Sequence, residues 1–385
     1  MISVAHVITS LDVGGAERAL CHLAPELRRR GLRQLVVCLL PPGAMAASLT
    51  GAGVAVHALH MRPEAVLRSG AAGATELVRL LRRAGPDVVQ TWMYHADLVG
   101  GLAARAAGIG DVVWNVRHAD LPLEGYGPLT AAVGRASALA SRLVPRRIVT
   151  NSAVARDAHV ARGYPPARMR LVPNGVPEPD PRSPTRAAAR RELGLPADAL
   201  VVGRVGRFHP QKDLPTFLRA ARDLHDAHPG TRFALVGQGM DAANAELARW
   251  IREQDLGEAV HLHGPRADAA RLQVAFDVAV SSSAFGETCP NAVLEAMAAG
   301  VPVATTDVGD SARMVGEAGA VVPPRDPGAL AAALRRLAGL SPEARDRLGE
   351  VARERARTHF SLDAMADGYE AVYRELLGRR DPGPA

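Results

Sequence analysis

The chain has 385 residues, 48% of them apolar and 22% charged, with a formal net charge of +6 and only 4% aromatic residues. That length exceeds one comfortable hydrophobic core and points to two domains. The apolar runs are strand-length, which excludes a bilayer-spanning helix, and no helix-turn-helix, finger or basic–aromatic pattern supports a nucleic-acid partner.

In chain order, Met1–Ile8 lacks the basic start of a signal peptide and reads as a first buried strand. Further strands are expected at Leu35–Leu40, Val54–Leu59, Val88–Thr91, Val112–Val116, Ile148–Thr150 and Arg170–Val172. Helices are expected over Ala16–Arg30, Ala65–Ala84, Ala96–Ala107 and Leu129–Leu143. Apolar periodicity lapses from Pro173 to about Pro184, where a linker belongs. Alternation resumes with strands at Leu200–Val205, Phe233–Val236, Val260–His263, Val278–Val280 and Val303–Thr305, and after Ala329 the chain reads as helical to its end. Strands alternating with amphipathic stretches argue for parallel sheets covered on both faces, hence an α/β protein of two Rossmann-like domains facing each other across a cleft.

Cys21, Cys38 and Cys289 lack metal-ligand spacing and fit reduced thiols in a cytoplasmic protein. Charge is uneven. Residues 1–173 hold 20 Arg against 11 Asp and Glu, a net of +9, and the remainder holds 26 Lys and Arg against 29 acids, a net of −3. A basic first half suits an anionic membrane surface or a lipid-diphosphate acceptor, or it reflects a general arginine bias.

Residues 281–303 carry the most information. A strand ends in Ser281-Ser282-Ser283, a loop holds Glu287, and a helix with Pro290 near its first turn and Gly300 just past its end holds Glu295. A helix N-terminus suits an anion. The carboxylates beside it then serve hydroxyls, and a molecule rich in both phosphate and hydroxyls is a nucleotide sugar. The stretch Phe285-Gly286-Glu287-Thr288-Cys289-Pro290-Asn291, continuing to Glu295-Ala296-Met297-Ala298, resembles the donor-site signature of retaining glycosyltransferases of family GT4, which have the GT-B fold. Upstream, Gly203-Arg204-Val205-Gly206-Arg207-Phe208-His209-Pro210-Gln211-Lys212-Asp213 contains the single lysine among 46 Lys and Arg. Lys is a compact point charge and Arg a flat fork, so retaining one Lys here favours a specific contact.

The resemblance implies that Arg207 and Lys212 meet the sugar donor's diphosphate. It assigns Glu295 to the ribose hydroxyls, and Glu287 with the backbone of Thr288, Pro290 and Asn291 to the sugar. It places residues 1–175 and 176–360 in an acceptor and a donor domain, with a terminal helix of about 361–380 crossing back to the first domain. Gly14 and Gly15, after the first strand, resemble the family's Gly-Gly-x-Glu loop near the diphosphate and acceptor, and Glu17 reads as an acid offsetting the helix dipole. His118, at the carboxyl end of a strand, matches the family's His near the sugar's hydroxymethyl group and the acceptor. Arg117 is assigned to acceptor charge, and Trp92 either stacks on an acceptor ring or packs the core. Asn151 and Asn174 close two later strands, and Asn174-Gly175 is first a turn signal. Gly237-Gln238-Gly239 lacks the third glycine of a dinucleotide site. No His-Glu-x-x-His or Asp-x-Asp accompanies the thirteen His, so no metal and no cofactor is expected.

The function expected is a metal-independent, retaining glycosyltransferase. It would move a sugar from a nucleoside diphosphate, UDP first, to a hydroxyl of a carbohydrate or lipid-linked acceptor. Cell-surface polysaccharide or glycolipid assembly at the inner face of the plasma membrane is the leading setting. Glycosylation of a small natural product and a GT-B sugar-nucleotide epimerase are the alternatives, and a non-catalytic nucleotide binder is a further one.

Overall fold

The computed structural model describes residues 1–12, 14–61, 70–119, 128–180 and 182–378. Among them the apolar runs form two sheets. The first contains β1 (Ser3–Ile8), β2 (Arg33–Cys38), β3 (Ala55–Ala58), β4 (Val88–Trp92), β5 (Val112–Val116), β6 (Arg147–Thr150) and β7 (Met169–Leu171), ordered β3-β2-β1-β4-β5-β6-β7. The second contains β8 (Val201–Val205), β9 (Arg232–Val236), β10 (Val260–Leu262), β11 (Val278–Ser281), β12 (Val303–Thr306) and β13 (Gly319–Val322), ordered β10-β9-β8-β11-β12-β13. The ladders are parallel, with Ala5 opposite both Leu35 and Val89, and Val202 opposite both Phe233 and Val278.

The central strands β1 and β4 are buried along their whole length, which is why they read as mostly apolar stretches without regular alternation, their polar residues His6, Gln90 and Thr91 being buried too. One face of the first sheet packs with Leu20, Leu23 and Leu27, the other with Leu77, Leu81 and Ala104. The second sheet is covered by Met297, Val301 and Met314 on one side and by Phe217, Leu247 and Leu334 on the other. Helix starts follow capping chemistry: Ser152, Thr185, Asp213, Asn244, Asp326 and Ser341 each accept a bond from a first-turn backbone N–H.

The chain divides into two compact units, Met1–Gly175 with Leu362–Ala385, and Val176–Ser361. The helix Leu362–Leu376 is integral to the first. Its Tyr369 and Tyr373 are fully buried, Asn115 Nδ2 donates to the Tyr369 hydroxyl at 2.8 Å, and the Tyr373 hydroxyl donates to Gln90 Oε1 at 2.5 Å. This is the return of the terminal helix to the first domain that the family resemblance implies.

Three differences from the sequence reading have physical causes. β13 is an edge strand that opens on a glycine and leaves Val321 exposed, so it carries no buried apolar run. The helix expected from Ala96 starts at Met93, whose φ of 70° turns the chain directly out of β4. Short helices such as Ala46–Gly51 and Ala153–Ala161 are too brief for a periodic signal. Part of the helix expected over Ala65–Ala84 lies outside the described residues, which show it from Gly70 to Ala84. No helix among the described residues is long and apolar enough to cross a membrane.

Candidate functional site

In each sheet the strand order reverses once, between β1 and β4 and between β8 and β11. Loops leaving the carboxyl ends of strands at such a reversal diverge and leave a crevice for a ligand. In the second unit those loops are Gly206–Lys212 and Ser282–Pro290, the two stretches singled out from sequence.

The first loop is held at several points. Gly206 N–H donates to the Val236 carbonyl at 2.9 Å and Phe208 N–H to the Gln238 carbonyl at 2.7 Å. Pro210–Lys212 makes one 3-10 turn, which His209 caps by accepting from Gln211 N–H at 3.2 Å. Asp213, at a φ of 43°, swings the chain into the helix Leu214–Ala227 and caps it by accepting from Thr216 N–H at 3.2 Å. The Lys212 carbonyl accepts from Ser282 Oγ at 2.9 Å and from the buried Arg204 guanidinium. The sole lysine is therefore fixed at its backbone, while its ammonium donates to Glu287 Oε1. Arg207 is exposed beside it and reaches Gln211 Oε1 at 3.5 Å.

Glu287 is 8% exposed. Burial alone would push its carboxyl up. The Lys212 ammonium, a 2.7 Å bond from Ser283 Oγ and the charge of Arg207 outweigh that and hold it below the ordinary carboxylate range. Its loop is braced from β12: Asp310 N–H donates to the Thr288 carbonyl at 2.8 Å. Gly309, at a φ of 65°, lies so near that a Cβ there would stand 2.5 Å from the Glu287 carbonyl oxygen, so a close backbone approach requires the glycine.

The helix begins at Asn291, with Pro290 as its N-cap residue supplying no capping side chain, and runs to Ala298. Its first turn, with the partial positive charge of a helix start, thus follows the Glu287 loop directly. Glu295 is buried on this helix and accepts from Gln273 Nε2 at 3.3 Å, which orients the carboxylate. Cys289 packs in the apolar cluster beneath. Among the described residues no three His, Cys, Asp or Glu gather in a metal-ligand group.

In the first unit, Gly14 is the N-cap of the helix Gly15–Arg29 and Glu17 folds back over it. A Cβ on Gly14 would lie 2.2 Å from Glu17 Oε2, so the glycine lets the acid sit over the helix start. His118 follows β5 at intermediate burial. Trp92 and Arg117 take up packing positions. Trp92 is 0% exposed and stacks on Tyr369 with ring centroids 6.1 Å apart, so of its two readings the core one holds here. Arg117 is 8% exposed, lies 5.5 Å over the Trp92 ring, and donates to the Tyr369 hydroxyl at 3.4 Å and to Asn174 Oδ1. Its guanidinium ties the end of β5 to the terminal helix. Asn151 and Asn174 are likewise buried, and Asn151 Nδ2 donates to Asn174 Oδ1 at 3.4 Å. Sequence reasoning passed over Arg204, Ser282 and Ser283, which hold Lys212 and Glu287. The only available signal was an arginine inside an otherwise apolar strand.

Residues 13–178 match the family model for Glycosyltransferase Family 4, and residues 199–339 that for Glycosyl transferases group 1. The D-inositol 3-phosphate glycosyltransferase of Acidothermus cellulolyticus is 32% identical over 313 residues, 76% of this chain and 68% of that protein. Its counterpart from Saccharomonospora viridis is 33% identical over 311 residues, 76% of this chain and 70% of that protein. Among solved structures, Anabaena HepE in complex with UDP matches at a TM-score of 0.82 and 22% identity, covering 97% of this chain and 100% of that one. The complex of HepE with UDP-glucose matches at a TM-score of 0.81 and 20% identity, covering 98% and 100%. At that identity the likeness carries the fold, which is the expected GT-B architecture.

Proposed function

The chain belongs to glycosyltransferase family 4, and on that premise we propose that it transfers a sugar from a UDP-linked donor to a hydroxyl acceptor, with retention at the anomeric carbon. The observation that carries this reading is the pairing of the sole lysine, Lys212, with Glu287 beside Arg207, at the β8/β11 reversal and just ahead of an uncapped helix start. Two cations and a helix N-terminus are what a departing nucleoside diphosphate requires if charge is to be neutralised as it develops. The paired carboxylate is what sugar hydroxyls require, and Glu295 is assigned to the ribose.

No residue stands out as a general base, so the departing phosphate oxygen is assigned the acceptor's proton on the same face of the sugar. A two-carboxylate glycosidase scheme is not invoked. His118, Gly14 and Gly15 are assigned to the diphosphate and acceptor side. The basic first half supports an anionic acceptor, such as a lipid-linked one in cell-surface polysaccharide or glycolipid assembly at the inner membrane face.

The test is a screen of UDP, GDP and dTDP for protection against heat, followed by turnover of the matching sugars with product stereochemistry. UDP protection with a retained anomeric configuration is expected. Preference for another nucleotide, or inversion, would overturn the corresponding part.

A further inference from the structure

Two donors converge on one oxygen of Glu287. The Lys212 ammonium and, at 2.7 Å, the Ser283 hydroxyl both donate to Oε1. Among the described residues no hydrogen bond reaches Oε2. The carboxylate is thus held by Oε1, and Oε2 is the acceptor it can still offer to a ligand.

The two donors differ in what binding would do to them. Lys212 carries its ammonium on a flexible stem, and a bound diphosphate competes for it. Ser283 is 1% exposed, and its short side chain cannot follow the ligand. Its carbonyl accepts from Thr306 Oγ1 at 2.6 Å, which ties it to β12. The preceding residue, Ser282, donates to the Lys212 and Asp213 carbonyls at 2.9 and 3.1 Å. The backbone that carries the Ser283 hydroxyl is therefore fixed to two other segments, whereas the Lys212 ammonium is not.

A glutamate side chain on a loop, held by Lys212 alone, would turn with the ammonium as the donor binds. A hydrogen bond to a carboxylate is roughly twice as strong as one between neutral groups. Given by an immobile hydroxyl, it keeps Oε1 at the end of β11. Ser283 itself is too buried to touch the sugar, so its effect passes through Glu287.

We propose that Ser283 is a positioning residue whose hydroxyl holds Oε1 of Glu287 when the diphosphate draws Lys212 away, so that Oε2 stays aimed at the sugar hydroxyls. The inference rests on the assignment of the diphosphate to Lys212 and of the sugar to Glu287.

The experiment measures binding of UDP and of UDP-glucose by calorimetry, together with kcat/KM for the sugar donor. If the donor screen selects another UDP-sugar, that one replaces UDP-glucose. Ser283→Ala removes the hydroxyl alone. It is expected to bind UDP within about twofold of wild type, to bind UDP-glucose more weakly and to lose about tenfold in kcat/KM. In a Glu287→Ala background, where no carboxylate is left to position, adding Ser283→Ala should weaken UDP-glucose no further. Wild-type kcat/KM in Ser283→Ala would overturn the proposal. So would equal losses of UDP and UDP-glucose affinity, or the same loss of UDP-glucose affinity in the Glu287→Ala background. Failure of wild type to bind UDP, or wild-type transfer by Glu287→Ala, would instead fell the donor-site assignment beneath it. Should Ser283→Ala not fold, Ser283→Cys decides, since it fills the same place with only a weak S–H donor. The same split between UDP and UDP-glucose is expected of it, and wild-type kcat/KM there would overturn the role of Ser283.

Discussion

Lys212 and Arg207, both assigned to the donor diphosphate, present their charge by different means. Lys212 is fixed at its carbonyl and carries its charge on a flexible stem, whereas Arg207 is exposed and presents a planar fork. Charge-assisted contacts to a leaving diphosphate are worth about 1.5–3 kcal/mol each. Lys212→Ala and Arg207→Ala should therefore each lower kcat/KM by about tenfold or more. The unfolding curve should be little changed in Arg207→Ala but moved to lower stability in Lys212→Ala, which strips the buried Glu287 of its partner. Wild-type turnover in both would remove the diphosphate from this loop. The two carboxylates should fail differently. Glu295→Gln weakens binding of UDP itself, because an amide keeps only one acceptor oxygen. Glu287→Gln leaves UDP bound and impairs transfer. Calorimetry with UDP and UDP-sugar on both variants checks this, and equal losses of UDP affinity would show the roles to be misassigned. With two cations and a helix start supplying the positive charge, EDTA should leave transfer largely intact; activity abolished by EDTA and restored by Mg²⁺ or Mn²⁺ would contradict that scheme.

The terminal helix Leu362–Leu376 shows how an element far along the chain is locked into the first sheet. Glu375 accepts from Arg147 at 2.5 Å and from Arg170 at 2.7 Å, and these bonds, Arg147 foremost, hold its carboxyl down to about 2. A carboxyl depressed in the folded state stabilises above its unfolded value and loses that contribution as pH falls toward the folded one. Hydrogen-exchange protection of this helix should thus weaken between about pH 5 and pH 2, and Glu375→Gln should flatten that dependence. An unchanged pH profile in the variant would place the anchor elsewhere. How legible such elements are in sequence follows from burial. β1, β4 and β5 are mostly apolar because both faces are covered, and the reading found them within a residue or two. The partly exposed edge strand β13 left no such trace. Glu287, Glu295, Arg207 and Lys212 stood out as candidates because a ligand contact would need a particular residue type in a particular loop, and the structure pairs two of them, Lys212 and Glu287. For Arg117 and Trp92 a strand end offers the same residues to a ligand or to a neighbouring helix, and only the packing shows that Tyr369 contacts both. Arg204 was illegible for the opposite reason: its hydrogen-bond partner, the Lys212 carbonyl, lies on another segment, and no spacing along β8 announces it.

At the scale of the whole chain the two units are built unequally. Val176–Ser361 is one continuous stretch holding all six strands of its sheet, whereas the other unit is split between Met1–Gly175 and the stretch from Leu362 onward. The continuous unit has an apolar cluster on each face of its sheet, and Arg204, Arg207, Lys212, Glu287, Thr288 and Glu295 all lie in it. Residues 1–175 alone would lack Met365, Tyr369, Val372 and Tyr373, which are buried in the core of the first unit. They would also leave Gln90 and Asn115 without the hydroxyls of Tyr373 and Tyr369. Unpairing buried polar groups costs about 1–3 kcal/mol each before the lost apolar burial is counted. Residues 176–361 expressed alone should therefore melt cooperatively and bind UDP, whereas residues 1–175 expressed alone should not fold, as read by thermal unfolding and calorimetry.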